Sequence, residues 1–239
     1  MKFAAAILAL AGSAAAFAPS KVAKTSTALN SLNGWVSDPN KFAFGLPGAI
    51  PPFEDGFDPL NFAGEADLDT IKYYREAETQ HGRAAMLAVV GLLVTEEPIE
   101  IHPLFEAGNK DIGPAIRHLD EVRAVSPFFF EVLAVIIGAA ELNRALRGWS
   151  APSSETVSGV GTLKSDYFPG DIGFDPLGLK PSGAEEFLEM STKELQNGRL
   201  AMLGIAGMVA QELVNGEEIF VNLGLAQDRF DPSLLPVQF

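Results

Sequence analysis

Two segments of the sequence carry the same spacing of side chains that can ligate a metal or form an ion pair. Each has a glutamate, then a histidine or asparagine three residues later, then an arginine two residues further on: Glu78, His81 and Arg83 in the first segment, Glu194, Asn197 and Arg199 in the second. A carboxylate, a neutral imidazole and a carboxamide oxygen each offer a lone pair to a metal, whereas arginine is a permanent cation. The pattern therefore indicates single, separated metal ligands beside fixed positive charges.

The kind of metal follows from this separation. A free magnesium ion takes about six ligands close to one point, but these candidates are spread along the chain. Magnesium already held in the plane of a tetrapyrrole needs one axial ligand, which an isolated Glu, His or Asn supplies. Gln211 adds a carboxamide on nearly the same helix face as Asn197, about 21 Å along the axis. The spacing favours magnesium tetrapyrroles.

The arginines need partners on another helix. At about 100° per residue, the five-residue spacing between glutamate and arginine does not give a good pair within one helix. If the two segments cross as a two-fold pair, Glu78 meets Arg199 and Arg83 meets Glu194. Ionisable groups at membrane depth are costly and almost always paired. Gly82 at the crossing, like its counterpart in the second segment, lets the helices approach closely.

An internal repeat extends well beyond these segments. The pairs Gly82/Gly198 and Arg83/Arg199 share an offset of 116 residues, and an FDPL element precedes each copy. The apolar pattern predicts helices over 68–95 and 184–214, with a middle helix over 127–146 that begins at Ser126-Pro127. The predicted fold class is all-α, an integral membrane protein of three transmembrane helices in which the first and last form a pseudo-two-fold crossed pair. The uncharged stretches are short, so the outer helices are long enough to span only if their charges are paired within the membrane.

Composition narrows the function. The chain has 31 acidic and 17 basic side chains and no cysteine, which argues against nucleic-acid binding and excludes disulfides and thiolate metal sites. We expect residues 1–30 to be a signal peptide plus plastid transit segment and 31–66 an extramembrane segment. Residues 67–215 form the predicted three-helix domain, and 216–239 a tail with turn signals.

The strings "EAETQHGRAAML" and "KELQNGRLAML", each preceded by FDPL, resemble the first and third helices of the light-harvesting chlorophyll-binding family. The resemblance implies an antenna protein that binds chlorophyll a, chlorophyll c and a carotenoid such as fucoxanthin or a related xanthophyll, and that catalyses no reaction. The "AFAP" presequence and "FGLPGAIPPF" look like the fucoxanthin chlorophyll a/c branch. The implied pigment ligands are Glu78, His81, Glu194, Asn197 and Gln211, with Arg83 and Arg199 as their partners.

Further candidates lie on the middle helix and in the loops. Glu141 is a candidate ligand from the family's Glu-x-x-Arg ending, although it could instead pair only with Arg144 at i+3. Glu131 is either a ligand or a complement to the helix dipole. His102 and His118 are expected to be surface residues of an irregular loop between Glu96 and Val125, with pigment binding by either left open.

The resemblance also implies a location, a multi-pass protein of the plastid thylakoid membrane. The implied partners are thylakoid lipid, a photosystem I or II core and other antenna subunits. The resemblance is compatible with a homo- or hetero-oligomer. The same residues are compatible with two alternative functions. One is a photoprotective quencher on the same scaffold, whose acidic sensors would be Glu96, Glu97, Glu100 and Glu106. The other is a di-metal carboxylate oxidase, which needs a second Glu-x-x-His that Asn197 interrupts; a transporter is disfavoured because the charges are all paired.

Overall fold

The computed structural model describes residues 32–53, 56–96, 99, 101, 113–150 and 162–226. The predicted presequence lies outside these residues, as do His102, most of the C-terminal tail and three of the candidate acidic sensors, Glu97, Glu100 and Glu106. The expectations that concern them therefore stay predictions.

The regular secondary structure of the described residues is helical, without a strand, and their one β-bridge is isolated and joins Trp149 to Leu163. The predicted all-α class is confirmed at this level. A 3-10 turn over Ala115–Arg117 leads into the second of the five α-helices found in the described part of the chain. The helices are α1 (Leu68–Thr95), α2 (His118–Val125), α3 (Phe129–Gly148), α4 (Ala184–Asn215) and α5 (Ile219–Asn222).

Local sequence signals determine where the two long helices begin and end. Asp67 caps α1, because its side chain accepts a hydrogen bond of 3.0 Å from the backbone N–H of Thr70, and an N-cap carboxylate satisfies one of the free amides of the first turn. Gly216 ends α4 in the left-handed conformation, with φ 69°, which glycine adopts without steric cost. These ends leave α1 with 28 residues and α4 with 32.

The helices α1 and α4 cross at a pair of glycines. A Cβ atom placed on Gly82 would lie 3.0 Å from the Cα of Gly198, and a Cβ on Gly198 would lie 3.0 Å from the Cα of Gly82. The distances are reciprocal, as a pseudo-two-fold requires, and neither position has room for a side chain. Ala85 and Leu195 are buried within a turn of the crossing.

One end of the crossed pair is closed by an apolar cluster drawn from distant parts of the chain. Trp35, Leu46, Ile71 and Phe168 are all buried there, and the rings of Trp35 and Phe168 meet edge to face with centroids 6.2 Å apart. The N-terminal segment and the loop before α4 are thereby held against the start of α1.

Three details of the helix prediction are wrong. The middle helix begins at Phe129 rather than at residue 127, because the N–H of Ser126 bonds back to Val122 and closes the preceding helix. That preceding helix, α2, lies in the segment predicted to be an irregular loop. The helix α3 also continues past the predicted end at residue 146, to Gly148, whose carbonyl accepts from the N–H of Lys164.

Membrane crossing is not evident from hydropathy alone. Within the described ranges, no single helix combines the length and apolar character needed to cross a bilayer. The one combination that does is Ala115–Val125 with Phe129–Gly148, which bend by 110° at the break between them.

Candidate pigment-binding site

Two reciprocal ion pairs flank the glycine crossing. The Nε of Arg83 lies 2.7 Å from Oε1 of Glu194, and the Nε of Arg199 lies 2.7 Å from Oε1 of Glu78. This is the arrangement that the helical spacing requires. All four side chains are partly exposed, so each carboxylate remains accessible from the outer surface of the pair.

His81 is held in one tautomer by its own helix. Its Nδ1 lies 2.7 Å from the carbonyl oxygen of Ala77, and a carbonyl only accepts, so we assign the proton to Nδ1. The Nε2 atom then carries a lone pair, and the residue is exposed. A neutral imidazole oriented by a backbone hydrogen bond is the form that binds metals.

Asn197, at the equivalent position of α4, is oriented in the same way. Its Nδ2 donates a hydrogen bond of 2.9 Å to the carbonyl of Lys193, four residues back. The Oδ1 atom is thereby left as the outward-facing acceptor on an exposed side chain. The two halves of the repeat each turn one lone pair away from the protein, which fits an axial ligand for a tetrapyrrole magnesium.

Each glutamate of the crossing also lines a cavity. The cavity beside Glu194 measures about 320 Å³ and includes Thr79, Arg83 and Phe187 in its wall. The cavity beside Glu78 measures about 610 Å³ and is closed on one side by aromatic residues of the N-terminal segment, such as Phe53. Both candidate glutamates therefore border open space beside the helix crossing.

Glu141 on α3 belongs to a polar network that joins three parts of the molecule. Arg144 donates from Nε to Oε2 of Glu141 at 2.8 Å, and Gln80 of α1 donates to Oε1 at 3.0 Å. Arg144 also reaches Oε1 of Glu76 at 2.8 Å. The pairing of Glu141 with Arg144 is therefore real, but each carboxylate oxygen keeps a second lone pair.

Glu76 is the buried centre of this network. It is 3% exposed and accepts from the Tyr167 hydroxyl at 3.1 Å and the Gly170 amide at 2.6 Å. Burial raises the pKa of Tyr167 well above its ordinary value, and the negative charge of Glu76 adds to the shift. Tyr167 consequently stays a neutral hydrogen-bond donor.

The remaining candidates are less well placed. Glu131 is exposed in the first turn of α3, where a negative charge complements the helix dipole. Gln211 is half-buried, and its Nε2 atom is buried without a hydrogen-bond partner among the described residues. His118 is not a loop surface residue: it opens α2, is half-buried, and its Nε2 lies 3.0 Å from the carbonyl of Gly113.

Sequence reasoning missed three residues of this region: Arg75, Glu76 and Gln80. The sequence does contain a signal for Arg75: it lies three residues before Glu78, a spacing that predicts an ion pair within one helix. No local signal identifies the other two, because their partners are far away in the chain. Among the described residues, no three His, Asp or Glu side chains are grouped as a multi-ligand metal centre requires.

Comparison with known proteins agrees with this geometry. The sequence profile of the family described as "Chlorophyll A-B binding protein" matches residues 42–213, which include both halves of the repeat and α3. The chain belongs to this family. It is accordingly a pigment-binding protein and not an enzyme, and the resemblance predicted from the repeated motif is confirmed.

Relatives with two kinds of name are similarly close within the family. The chain is 47% identical over 180 residues to light-harvesting complex stress-related protein 3.2, chloroplastic, of Chlamydomonas reinhardtii, covering 75% of this chain and 67% of the relative. It is 44% identical over 179 residues to a chloroplastic fucoxanthin-chlorophyll a-c binding protein of Isochrysis galbana, covering 74% and 81%. Photosystem I chlorophyll a/b-binding protein 6 of Arabidopsis thaliana is more distant, at 31% over 187 residues, covering 74% and 64%.

Proposed function

We propose that the protein is a light-harvesting antenna subunit that binds chlorophyll through single side-chain ligands and passes excitation energy to a photosystem. The observation that carries the proposal is the matched orientation of His81 and Asn197, each of which bonds its own helix backbone and turns one lone pair outward. Because an imidazole and a carboxamide have the same orientation at equivalent positions of the repeat, we infer that both serve as axial ligands.

The proposed magnesium ligands on the crossed pair are Glu78, His81, Glu194, Asn197 and Gln211. Arg83 and Arg199 neutralise the two glutamates across the helix crossing and so hold their free lone pairs in place. Glu141 is the proposed ligand on α3, whereas Glu131 has no contact with the other described residues that supports ligation. When bound, chlorophyll supplies light absorption and energy transfer; the protein fixes its distance, orientation and local field.

The exposed surface of α3 supports the presence of pigments between the helices. Val135 is 73% exposed and Leu146 is 69% exposed, although both are apolar residues of a 20-residue helix. Within the described part of the chain, the hydrogen bonds between α3 and α1 lie in the C-terminal half of α3, at Arg144 and Glu141. Chlorophyll and carotenoid are apolar enough to cover such a surface.

A thylakoid location and three membrane-crossing helices complete the proposal. At 1.5 Å per residue, α1 and α4 extend about 42 and 48 Å, longer than the roughly 30 Å of a bilayer core. Their ionisable groups near the middle are paired, as charges at membrane depth are. The relatives are named chloroplastic, and fucoxanthin and chlorophyll c appear in several of their names as bound pigments. We therefore propose chlorophyll a, chlorophyll c and fucoxanthin or a related xanthophyll as cofactors, and a photosystem core, other antenna subunits and thylakoid lipid as partners.

The test is reconstitution of the full chain with a mixed chlorophyll and carotenoid extract. We expect a coloured complex with efficient carotenoid-to-chlorophyll energy transfer, and loss of chlorophyll from His81→Leu and Asn197→Leu. Asn215→Leu, at the exposed end of the same helix, is the matched control and keeps full pigment content. A colourless wild-type protein, or equal chlorophyll content in all variants, would contradict the proposal.

A photoprotective quencher is the second candidate, because relatives at 44–47% identity carry the name stress-related. Of the candidate acidic sensors, Glu96 is fully buried and accepts from the N–H of Ile219 at 2.9 Å. Its repeat counterpart Glu212 is also buried and accepts from Ile116 at 2.8 Å. Fluorescence lifetime of the complex separates the two functions: a lifetime that shortens between neutral and low pH favours quenching, and an unchanged lifetime favours the antenna.

A further inference from the structure

The two repeat-related glutamates do not have the same environment. Glu78 contacts two guanidinium groups: Arg199 at Oε1, 2.7 Å away, and Arg75 at Oε2, 3.1 Å away. Among the described residues, Glu194 is paired with one guanidinium group, that of Arg83, whose Nε lies 2.7 Å from Oε1. The position equivalent to Arg75 in the second copy is Ser191, which carries no charge.

Arg75 is firmly held rather than loosely attached to the surface. It is 9% exposed, and its Nη1 donates to the carbonyl of Pro47. The next residue, Gly48, accepts at its carbonyl from Nη1 of Arg199 at 2.7 Å. A Cβ on Gly48 would lie 3.0 Å from Nη1 of Arg75, and its φ of +119° also requires glycine. This turn therefore holds both guanidinium groups against Glu78.

The difference changes the formal charge at each site. Glu78 with two arginines carries a net charge of +1, whereas Glu194 with one arginine is neutral. Each N–H donor takes a lone pair of the carboxylate and withdraws electron density from it. A carboxylate that already serves two guanidinium groups is therefore a weaker axial ligand for magnesium than one that serves a single group.

We propose that Arg75 is a positioning residue that makes the two carboxylate sites unequal, so that Glu78 binds its magnesium tetrapyrrole more weakly than Glu194 does. This inference rests on the proposed function, since it concerns the pigments of those two sites. It assigns a role to a residue outside the repeated Glu-x-x-(His/Asn)-Gly-Arg motif. The asymmetry is supplied by one side chain and the turn at Pro47–Gly48.

The experiment exchanges the two environments. Arg75→Gln removes the positive charge beside Glu78, and Ser191→Arg places a guanidinium one turn before Glu194. Each full-length variant is reconstituted with chlorophyll a over a range of limiting concentrations. Difference spectra against Glu78→Leu and Glu194→Leu in the Qx region, which reports axial ligation, assign the occupancy of each site.

In the wild-type complex, we expect the Glu194 site to fill at lower chlorophyll concentration than the Glu78 site. We expect Arg75→Gln to raise the affinity of the Glu78 site about tenfold, the equivalent of one charge-assisted hydrogen bond. Ser191→Arg should lower the affinity of the Glu194 site by a similar factor. Arg75→Lys, which keeps the positive charge, should stay close to wild type.

Ser191→Met is the control for volume, because Ser191 lines the cavity beside Glu194. If methionine lowers the affinity as much as arginine does, or if Ser191→Arg has no effect, the inference is wrong. Ser191→Arg decides the matter even when Arg75→Gln does not fold. A wild-type chain that binds no chlorophyll would instead contradict the proposed function, while a chlorophyll-binding wild type with two equal sites contradicts only the role of Arg75.

Discussion

The crossed pair α1/α4 and the single helix α3 are held in the protein by different means. At the crossing, backbone meets backbone at Gly82 and Gly198, and two ion pairs of 2.7 Å close the flanks. The helix α3 has no such contact along its N-terminal half among the described residues, and is tied to α1 near Glu141 and Arg144. An edge-to-face contact between Tyr73 and Trp149, with centroids 5.8 Å apart, adds to this end.

This difference in contacts indicates that protein atoms hold the crossed pair together, whereas the proposed pigments help to hold α3. The interface of the crossed pair consists of direct backbone contact at the two glycines and of the two ion pairs. The surface of α3 carries many exposed apolar side chains, such as Val135 and Leu146, and the proposed pigments and lipid cover them. The crossing should therefore determine whether the complex assembles, and the α3 tether should determine which pigments stay bound.

The largest effect is expected at the glycine crossing. Gly82→Leu places a side chain where a Cβ already meets the Gly198 backbone at 3.0 Å, and overpacking of this kind costs about 3 kcal/mol or more when backbone must move. We expect little or no assembled complex, measured as the yield after reconstitution and the thermal melting of helicity. Gly91→Leu on the same helix is the matched control, because no atom lies within 4 Å of its Cβ position. Equal yields from the two variants would contradict the direct packing of the crossing.

A smaller effect is expected at the tether of α3. Arg144→Leu removes the cation from Glu76, which is nearly fully buried, although Tyr167 and Gly170 still donate to it. Loss of one partner of a buried charged group costs about 2–3 kcal/mol. We expect faster hydrogen exchange in α3 and loss of chlorophyll, with α1 and α4 protected as before. Uniform loss of protection in all three helices would show that α3 is not an independent unit.

The next smaller effect is expected from breaking one of the two ion pairs at the helix crossing. Arg83→Leu leaves Glu194 without its cation, but the pair is about one-third exposed, so the cost lies between about 1 kcal/mol for an exposed pair and about 3 kcal/mol for a buried one. His81→Leu removes only a pigment ligand. We therefore expect a lower yield of complex from Arg83→Leu than from His81→Leu, and equal yields would contradict the importance of the pair for assembly.

The smallest predicted effect is a pH dependence at the loop before α4. Burial raises the pKa of Asp171, but hydrogen bonds from Lys180 and Asn33 outweigh it, so this pKa lies below its ordinary value. A carboxyl whose folded pKa is lowered contributes stability above its unfolded pKa of about 4 and loses that contribution as the pH falls through the folded pKa. We expect acid to weaken the packing of the N-terminal segment by about 1 kcal/mol or less.

The change is measured as Trp35 fluorescence in a Trp149→Phe background. Asp171→Asn removes the ionisable group, so the acid-induced change should disappear in that variant. A wild-type chain and an Asp171→Asn variant with the same acid profile would rule out this carboxylate as the source.

Much of the crossed pair could be predicted from the chain alone. The repeat offset of 116 residues places Glu78 opposite Arg199 and Arg83 opposite Glu194, because two copies of one helix can neutralise both arginines only by facing each other. The structure has helices with nearly the predicted bounds, since Asp67 and Gly216 are local start and stop signals. The assignment of individual pigment ligands remains a prediction.

Only the tertiary structure shows which contacts make the two halves of the repeat differ from each other. The contact of Gln80 with Glu141, the burial of Glu76 and the closure of the Pro47–Gly48 turn over Arg75 join residues that are far apart in sequence. Periodicity and capping describe what a segment does within a few turns of itself, so they identify the helices and their shared motif. They do not specify which distant side chain fills the space beside a given carboxylate, because that depends on the path of the loops between the helices.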